Sequence, residues 1–292
     1  MLLALCLASL AGGGAGPTAA EGRRARPWPE GTVAAVTLGI DFDAETLWWD
    51  VPETQEGRPG PLSQGRYGPR QGLKKILSLL RKHEVRATFF VPSWVARKHP
   101  DAVRAIVEGG HEIGAHGVLH VPPSSLDPGE EERRLRDSIE VLKRIAGRRP
   151  VGYRAPAWSI SGSTLDLVAR EEFLYSSNLM DSDLPYVHAE HAGLVELPVS
   201  WVLDDAAHFW FEEESWDKPI VSAAAVESIW KEQFEAIYEE GAYFNLTLHP
   251  QFIGRPAPRR MLDRFLTWIR SFEGVWFATG EELARRVRES AR

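Results

Sequence analysis

Apolar and polar positions along the chain fall into two alternating rhythms. Residues 32–42 (TVAAVTLGIDF) form a β-rich apolar run after turn residues and predict a buried strand ending in Asp41-Phe42-Asp43-Ala44-Glu45. Residues 73–83 carry apolar positions at helical spacing, 86–92 read as the next buried strand, and 94–109 as a second helix closed by Gly109-Gly110. Residues 111–115 are then a strand that delivers His116 at its C-terminal end. The pattern continues with a helix over 128–146, a short strand over 151–154, a helix over 163–172 capped by Ser163, and a strand over 194–202 ending at Asp204-Asp205. A helix over 223–240, a strand over 242–248 ending at His249-Pro250, a helix over 261–271, a strand over 275–278 and a helix over 280–288 complete it. This alternation argues for a parallel α/β barrel, with polar residues gathered at strand C-termini. The Gly-, Pro- and Trp-rich stretch 46–71 interrupts it and reads as a long flap over the active face.

Composition narrows the possibilities. The 292 residues are 43% hydrophobic and 26% charged, an ordinary globular balance. A net charge of −7 without a basic patch argues against nucleic acid and anionic membranes as partners. The single cysteine, Cys6, excludes a disulfide framework and thiolate metal sites. Residues 1–16 are apolar and small but too short to span a bilayer. With Thr18 and Ala20 they suit a signal peptide, although no Lys or Arg precedes the run; a misassigned start is the other reading. Residues 1–26 are accordingly set outside a single catalytic domain over 27–292. The protein is expected to be secreted or periplasmic if that leader is real and cytoplasmic otherwise.

The polar strand ends carry the candidate chemistry. Asp41 and Asp43 share a face of their strand. His116 and His120 are four apart, so a helical turn would place both rings on one side, close enough to share a cation. Each feature alone also fits a solvated loop or a polar strand end. Arg154, Asp204, Asp205 and His249 follow at later strand ends, and His111 precedes its strand, at the end far from His116. Eleven tryptophans include Trp158, Trp201 and Trp210 close to these segments, where they could pack or line a cleft.

Taken together, five segments resemble the motifs of the polysaccharide deacetylases, carbohydrate esterase family 4, in the family's order. They are Asp41-Phe42-Asp43, His116-Gly117-Val118-Leu119-His120, Arg154-Ala155-Pro156-Ala157-Trp158, Trp201-Val202-Leu203-Asp204-Asp205 and Leu246-Thr247-Leu248-His249. The chain departs from the family at Gly117, where Ser or Thr is usual, and by one extra residue before Trp158. The spread Asp pair and Gly254-Arg255-Pro256 resemble the branch holding a Helicobacter-type peptidoglycan deacetylase homologue, cyclic imidases and allantoinases. The resemblance implies a distorted (β/α)7 barrel. It implies a divalent metal, zinc first and cobalt as an alternative, on Asp43, His116 and His120. Asp41 would be the base, His249 the acid, and Arg154 would orient Asp41, with Asp204 in support. Trp158 and Trp201 would meet substrate, and Glu45 could sit behind the site. The implied activity is hydrolysis of a non-peptide C–N bond, most simply in an N-acetylated glycan. A small cyclic imide or ureide is the alternative substrate, and a non-catalytic carbohydrate binder is a third reading. A homo-oligomer is expected from the branch.

Overall fold

A computed structural model describes residues 26–48, 59–191, 193–211 and 218–292. The leader reading over 1–25 and the middle of the expected flap, 49–58, lie outside the described residues. Arg26, the last residue assigned to the leader, already donates to the Glu240 carbonyl.

Nine strands among the described residues form one curled sheet. They are β1 (Ala34–Asp41), β2 (Thr88–Val91), β3 (Glu112–Ala115), β4 (Gly152–Tyr153), β5 (Tyr175–Ser176), β6 (Tyr186–Val187), β7 (Val195–Glu196), β8 (Tyr243–Leu248) and β9 (Val275–Ala278). The order is β6-β7-β5-β4-β3-β2-β1-β8, with β9 also on β1. Every pairing is parallel except β6 with β7. The sheet curls into an open half-barrel of the expected α/β kind. The segment that follows β7 reaches β8 through an isolated Asp204–Thr247 bridge and the Asn245 side chain, which donates to the Pro198 carbonyl at 2.8 Å.

β1 is buried along its whole length and is the hub of the sheet, pairing with β2, β8 and β9. Its apolar side chains Val36, Leu38 and Ile40 join Phe89, Phe244, Trp230 and Phe265 in the main core. Burying one such side chain stabilises the fold by about 1.5–3 kcal/mol. Among the described residues no helix is long and apolar enough to cross a membrane.

Several expectations change. The helix expected over 94–109 is two, Ser93–Lys98 and Pro100–Glu108. Pro100 cannot donate, and it drives His99 out of the helical region, to φ −125° and ψ 54°. The described parts of the expected flap are not loop: a 3-10 turn spans Ala44–Trp48, an α-helix spans Pro59–Tyr67, and a π turn spans Gly68–Gly72. Ser163 does not cap its helix, since its hydroxyl donates to Glu131 at 3.2 Å. The strand expected over 194–202 is regular only over Val195–Glu196, with further backbone bonds from Leu197 to Ser176 and from Val199 to Leu179.

Candidate active site

The strand order places the functional side chains before any chemistry is invoked. β8, β1, β2 and β3 are neighbours, so the C-terminal ends of β8, β1 and β3 open on one small area. Those ends carry His249, the Asp41/Asp43 pair and His116.

Asp43, His116 and His120 each offer a ligand atom, and these atoms lie within 4.8 Å of one another. The His116 and His120 ring centroids are 5.5 Å apart. They meet through a bend rather than the helical turn that their spacing allows. Gly117 sits at φ +71°, a left-handed backbone that glycine adopts at no steric cost.

The states of the two imidazoles suit a divalent cation. The His116 Nδ1–H donates to the Arg154 carbonyl at 2.7 Å, because a carbonyl can only accept. This fixes the tautomer and turns the Nε2 lone pair toward Asp43, 3.3 Å away. Burial holds the His116 imidazole below its usual range, and burial with the nearby His116 and His249 rings pushes His120 down to about 3. Both rings are therefore neutral ligands at neutral pH. Burial and the neighbouring carboxylates Asp41, Asp204 and Asp205, against the pull of His249, push Asp43 up to about 8. Both Asp43 oxygens and His116 Nε2 are buried without a hydrogen-bond partner. A buried unpaired polar atom costs about 1–3 kcal/mol, so three together fit a missing positive partner. One carboxylate with two neutral imidazoles is the donor set of catalytic zinc sites.

Asp41 is handled differently. Burial alone would raise its pKa, but Arg154, His116 and His249 outweigh burial and hold it low. Arg154 is itself almost fully buried. Its Nη1 donates to Asp41 Oδ1 at 2.9 Å and to Thr247 Oγ1 at 3.1 Å, and its Nη2 to Ser177 Oγ at 3.0 Å. The guanidinium lies 4.2 Å from the Phe90 ring centroid. It also lies against Gly39, where a Cβ would come within 2.7 Å of Nη1. The grip on Asp41 is direct and does not pass through Asp204.

Asp204 and Asp205, which the sequence leaves unresolved, separate cleanly. Asp205 accepts from the His249 ring at Nδ1, 2.6 Å, and from its backbone N–H at 3.0 Å. Asp204 caps the helix Asp205–Phe209 by accepting from the Ala206 N–H at 2.7 Å, and it lies 3.7 Å from His249 Nδ1. These two aspartates and His249 are also close enough to hold an ion, but here Asp205 and the imidazole satisfy each other. Burial would push His249 down; Asp204, Asp205 and Asp43 outweigh it and raise the ring to about 10. His249 is thus a protonated imidazole with Nε2 facing Asp43 at 3.5 Å.

Two aromatic groups flank these residues. The extra residue before Trp158 puts Ala157 and Trp158 both at φ +52°, and the Trp158 ring then meets Trp201 at a centroid distance of 4.4 Å. Trp201 is half-exposed. The second group is Trp48, Trp210 and Phe252, with Phe252 5.7 Å from the His249 ring. Sequence reasoning missed Ser177 and Thr247, hydroxyls with no motif signal, and did not name Trp48 or Phe252 as neighbours of His249. Glu45 accepts from or pairs with His99 Nε2 at 3.0 Å and ties the turn after Asp43 to the break at Pro100. His111 takes the Ala87 N–H and packs on Phe89, as a structural residue would.

Residues 67–175 match the model of the polysaccharide deacetylase family. The peptidoglycan deacetylase of Helicobacter pylori is 30% identical over 85% of this chain and 94% of its own. The chain belongs to the polysaccharide deacetylase family. With that membership goes the enzyme class, hydrolases of carbon–nitrogen bonds other than peptide bonds. Among solved structures, a Mycobacterium smegmatis protein assigned to the polysaccharide deacetylases superposes with a TM-score of 0.87 at 38% identity, covering 90% of this chain and 93% of that one. The PuuE allantoinase superposes with a TM-score of 0.78 at 25% identity, with coverage of 90% and 93%. The solved structures similar to this chain thus include both a polysaccharide deacetylase relative and an allantoinase.

Proposed function

We propose that the protein is a metal-dependent N-deacetylase, acting on the acetamido group of an N-acetylated glycan. The observation that carries this reading is the convergence of ligand atoms from Asp43, His116 and His120, those of Asp43 and His116 buried without a partner, beside a charged Asp41 and a protonated His249. A divalent cation held by those three residues, zinc by its donor set, would polarise the amide carbonyl and make water easier to deprotonate. Asp41, kept ionised and aimed by Arg154, is in position to take a proton from the attacking water. His249, fixed at Nδ1 by Asp205, has an Nε2–H to give to the departing nitrogen. Water adds across the C–N bond, with one proton taken by Asp41 and one delivered by His249.

A second reading has its own support. Asp41, Asp43, His116 and His249 are all buried, and the allantoinase is a near structural relative. Both favour a small cyclic amide over a polymer.

The test is hydrolysis by the zinc- or cobalt-loaded protein. Acetate release from N-acetylated oligosaccharides supports the first reading, and ring opening of cyclic imides supports the second. Asp43→Ala and His116→Ala should lose metal and activity together. Activity that survives both substitutions overturns the ligand assignment. Export through residues 1–20 is part of the glycan proposal, and N-terminal sequencing of the expressed protein checks it.

A further inference from the structure

Trp48 and Trp210 carry two of the buried polar atoms near the site that have no partner among the described residues. Each lies a few residues beyond an acidic residue that has a place there: Trp48 five after Asp43, Trp210 five after Asp205. Their ring centroids are 5.8 Å apart in an edge-to-face arrangement, and both lie 6.1 Å from Phe252. Phe252 in turn touches the His249 ring. The two indoles therefore stand one aromatic contact away from the acid.

Both indole N–H groups are buried without a hydrogen-bond partner. The tryptophans packed elsewhere behave differently. Trp28 donates to the Gly241 carbonyl at 3.3 Å and Trp230 to the Val202 carbonyl at 3.1 Å. An indole N–H is a donor only, and left unpaired inside the protein it has given up its bond to water for nothing. Two such costs side by side call for an acceptor that arrives from outside.

We infer that Trp48 and Trp210 are specificity-determining residues whose indole N–H groups donate to neutral oxygen acceptors on the substrate, on the part beyond the bond that breaks. The inference rests on the hydrolase reading and deepens it. A donor-only indole recognises a carbonyl or ether-like oxygen and cannot read a substrate donor. The acceptor comes from one of two sources, the second carbonyl of a cyclic imide or an oxygen of a neighbouring sugar.

Trp48→Phe and Trp210→Phe remove the N–H and keep an aromatic ring. Zinc-loaded wild type and variants are assayed with glutarimide and with tri-N-acetylchitotriose, and melting temperature and zinc content are measured alongside. The expected result is a rise in KM of roughly three- to tenfold per variant, the loss falling on KM rather than kcat. Zinc content stays at the wild-type level. Melting temperature stays within about 3 °C, because the lost ring volume costs about what the orphaned N–H did. A KM change confined to glutarimide identifies a ring carbonyl as the acceptor; one confined to the trisaccharide identifies a sugar oxygen. Unchanged KM in both variants, on a probe that the wild type hydrolyses, overturns the inference and leaves the hydrolase reading intact. A zinc-loaded wild type inert toward both probes overturns the hydrolase reading, and the inference falls with it.

Discussion

Asp205 holds His249 twice, taking the ring N–H at 2.6 Å and the backbone N–H at 3.0 Å with its two carboxylate oxygens. Asp204, one residue earlier, spends its Oδ1 on the Ala206 N–H instead. The two neighbours should therefore fail differently. Asp205→Asn should lower kcat by about 10²-fold, the scale of a lost general acid, and move the basic limb of the pH–rate profile to lower pH. Asp204→Ala should cost about 1 kcal/mol of stability as a lost helix cap, with a smaller kinetic effect. Paired pH–rate profiles and thermal melts decide it. A larger kinetic loss in Asp204→Ala would reverse the assignment.

The metal-free protein should lose stability as pH rises from about 6 to about 8.5. Asp43 is raised from 3.8 to about 8, so the folded state keeps a proton that the unfolded state has released. Stability from this group falls between those values. His249 is raised from 6.5 to about 10, and its contribution, complete below 6.5, is lost as pH climbs through 10. The two effects share a sign. Zinc replaces the proton on Asp43, so the rise in melting temperature on adding zinc should be larger at the higher pH. Calorimetry with chelator and with zinc at both pH values checks this; an equal zinc effect at the two would count against Asp43 as a ligand.

Gly39→Ala should separate the base from the metal. The added methyl would come within 2.7 and 2.8 Å of the two terminal nitrogens of Arg154. The guanidinium must shift, and Asp41 loses its aim. Zinc stoichiometry should stay at the wild-type value, because Asp43, His116 and His120 do not touch Arg154's side chain. The expected stability cost is about 1–3 kcal/mol, as for an overpacked core. Full activity in this variant would show that Arg154 does not position the base.

Gly117→Ser restores the residue type usual in the resembling motif and should nonetheless harm this protein. Position 117 is at φ +71°, where a side chain costs about 1–2 kcal/mol. The strain falls between the two histidines, so zinc affinity should drop along with melting temperature. Competition against a metal chelator measures it, and unchanged affinity would mean that the bend is not needed to bring the rings together.

The long elements and the site carboxylates were legible in the sequence because their signals are local. Eight consecutive buried residues make β1 readable, and strand-end placement makes Asp41, Asp43, His116 and His249 readable. What stayed hidden depends on distant partners. β5 and β6 are two-residue strands with no periodicity to read, and they exist because β4 and β7 pair with β5, and β7 with β6. The helix Pro59–Tyr67 contains two prolines and two glycines and has little propensity of its own. It is seated by close backbone contact of Gly65 with Ala44 and by the Tyr67 hydroxyl on the Gly254 carbonyl at 3.0 Å. The choice between Asp204 and Asp205 needed the direction of a side chain, which no spacing encodes.

The hub strand β1 also sets the order in which a nascent chain can assemble. It is made early, yet its longest partner, β8, arrives far later: the Thr37 and Tyr243 hydroxyls that meet at 2.6 Å are 206 residues apart. Until the ribosome has released β8 and β9, a largely apolar strand is paired only over Gly39–Asp41 by β2, a condition that invites misassembly. His249, the acid of the proposed mechanism, comes from the same late segment, so a truncated translation product could carry the three proposed metal ligands and still be inert.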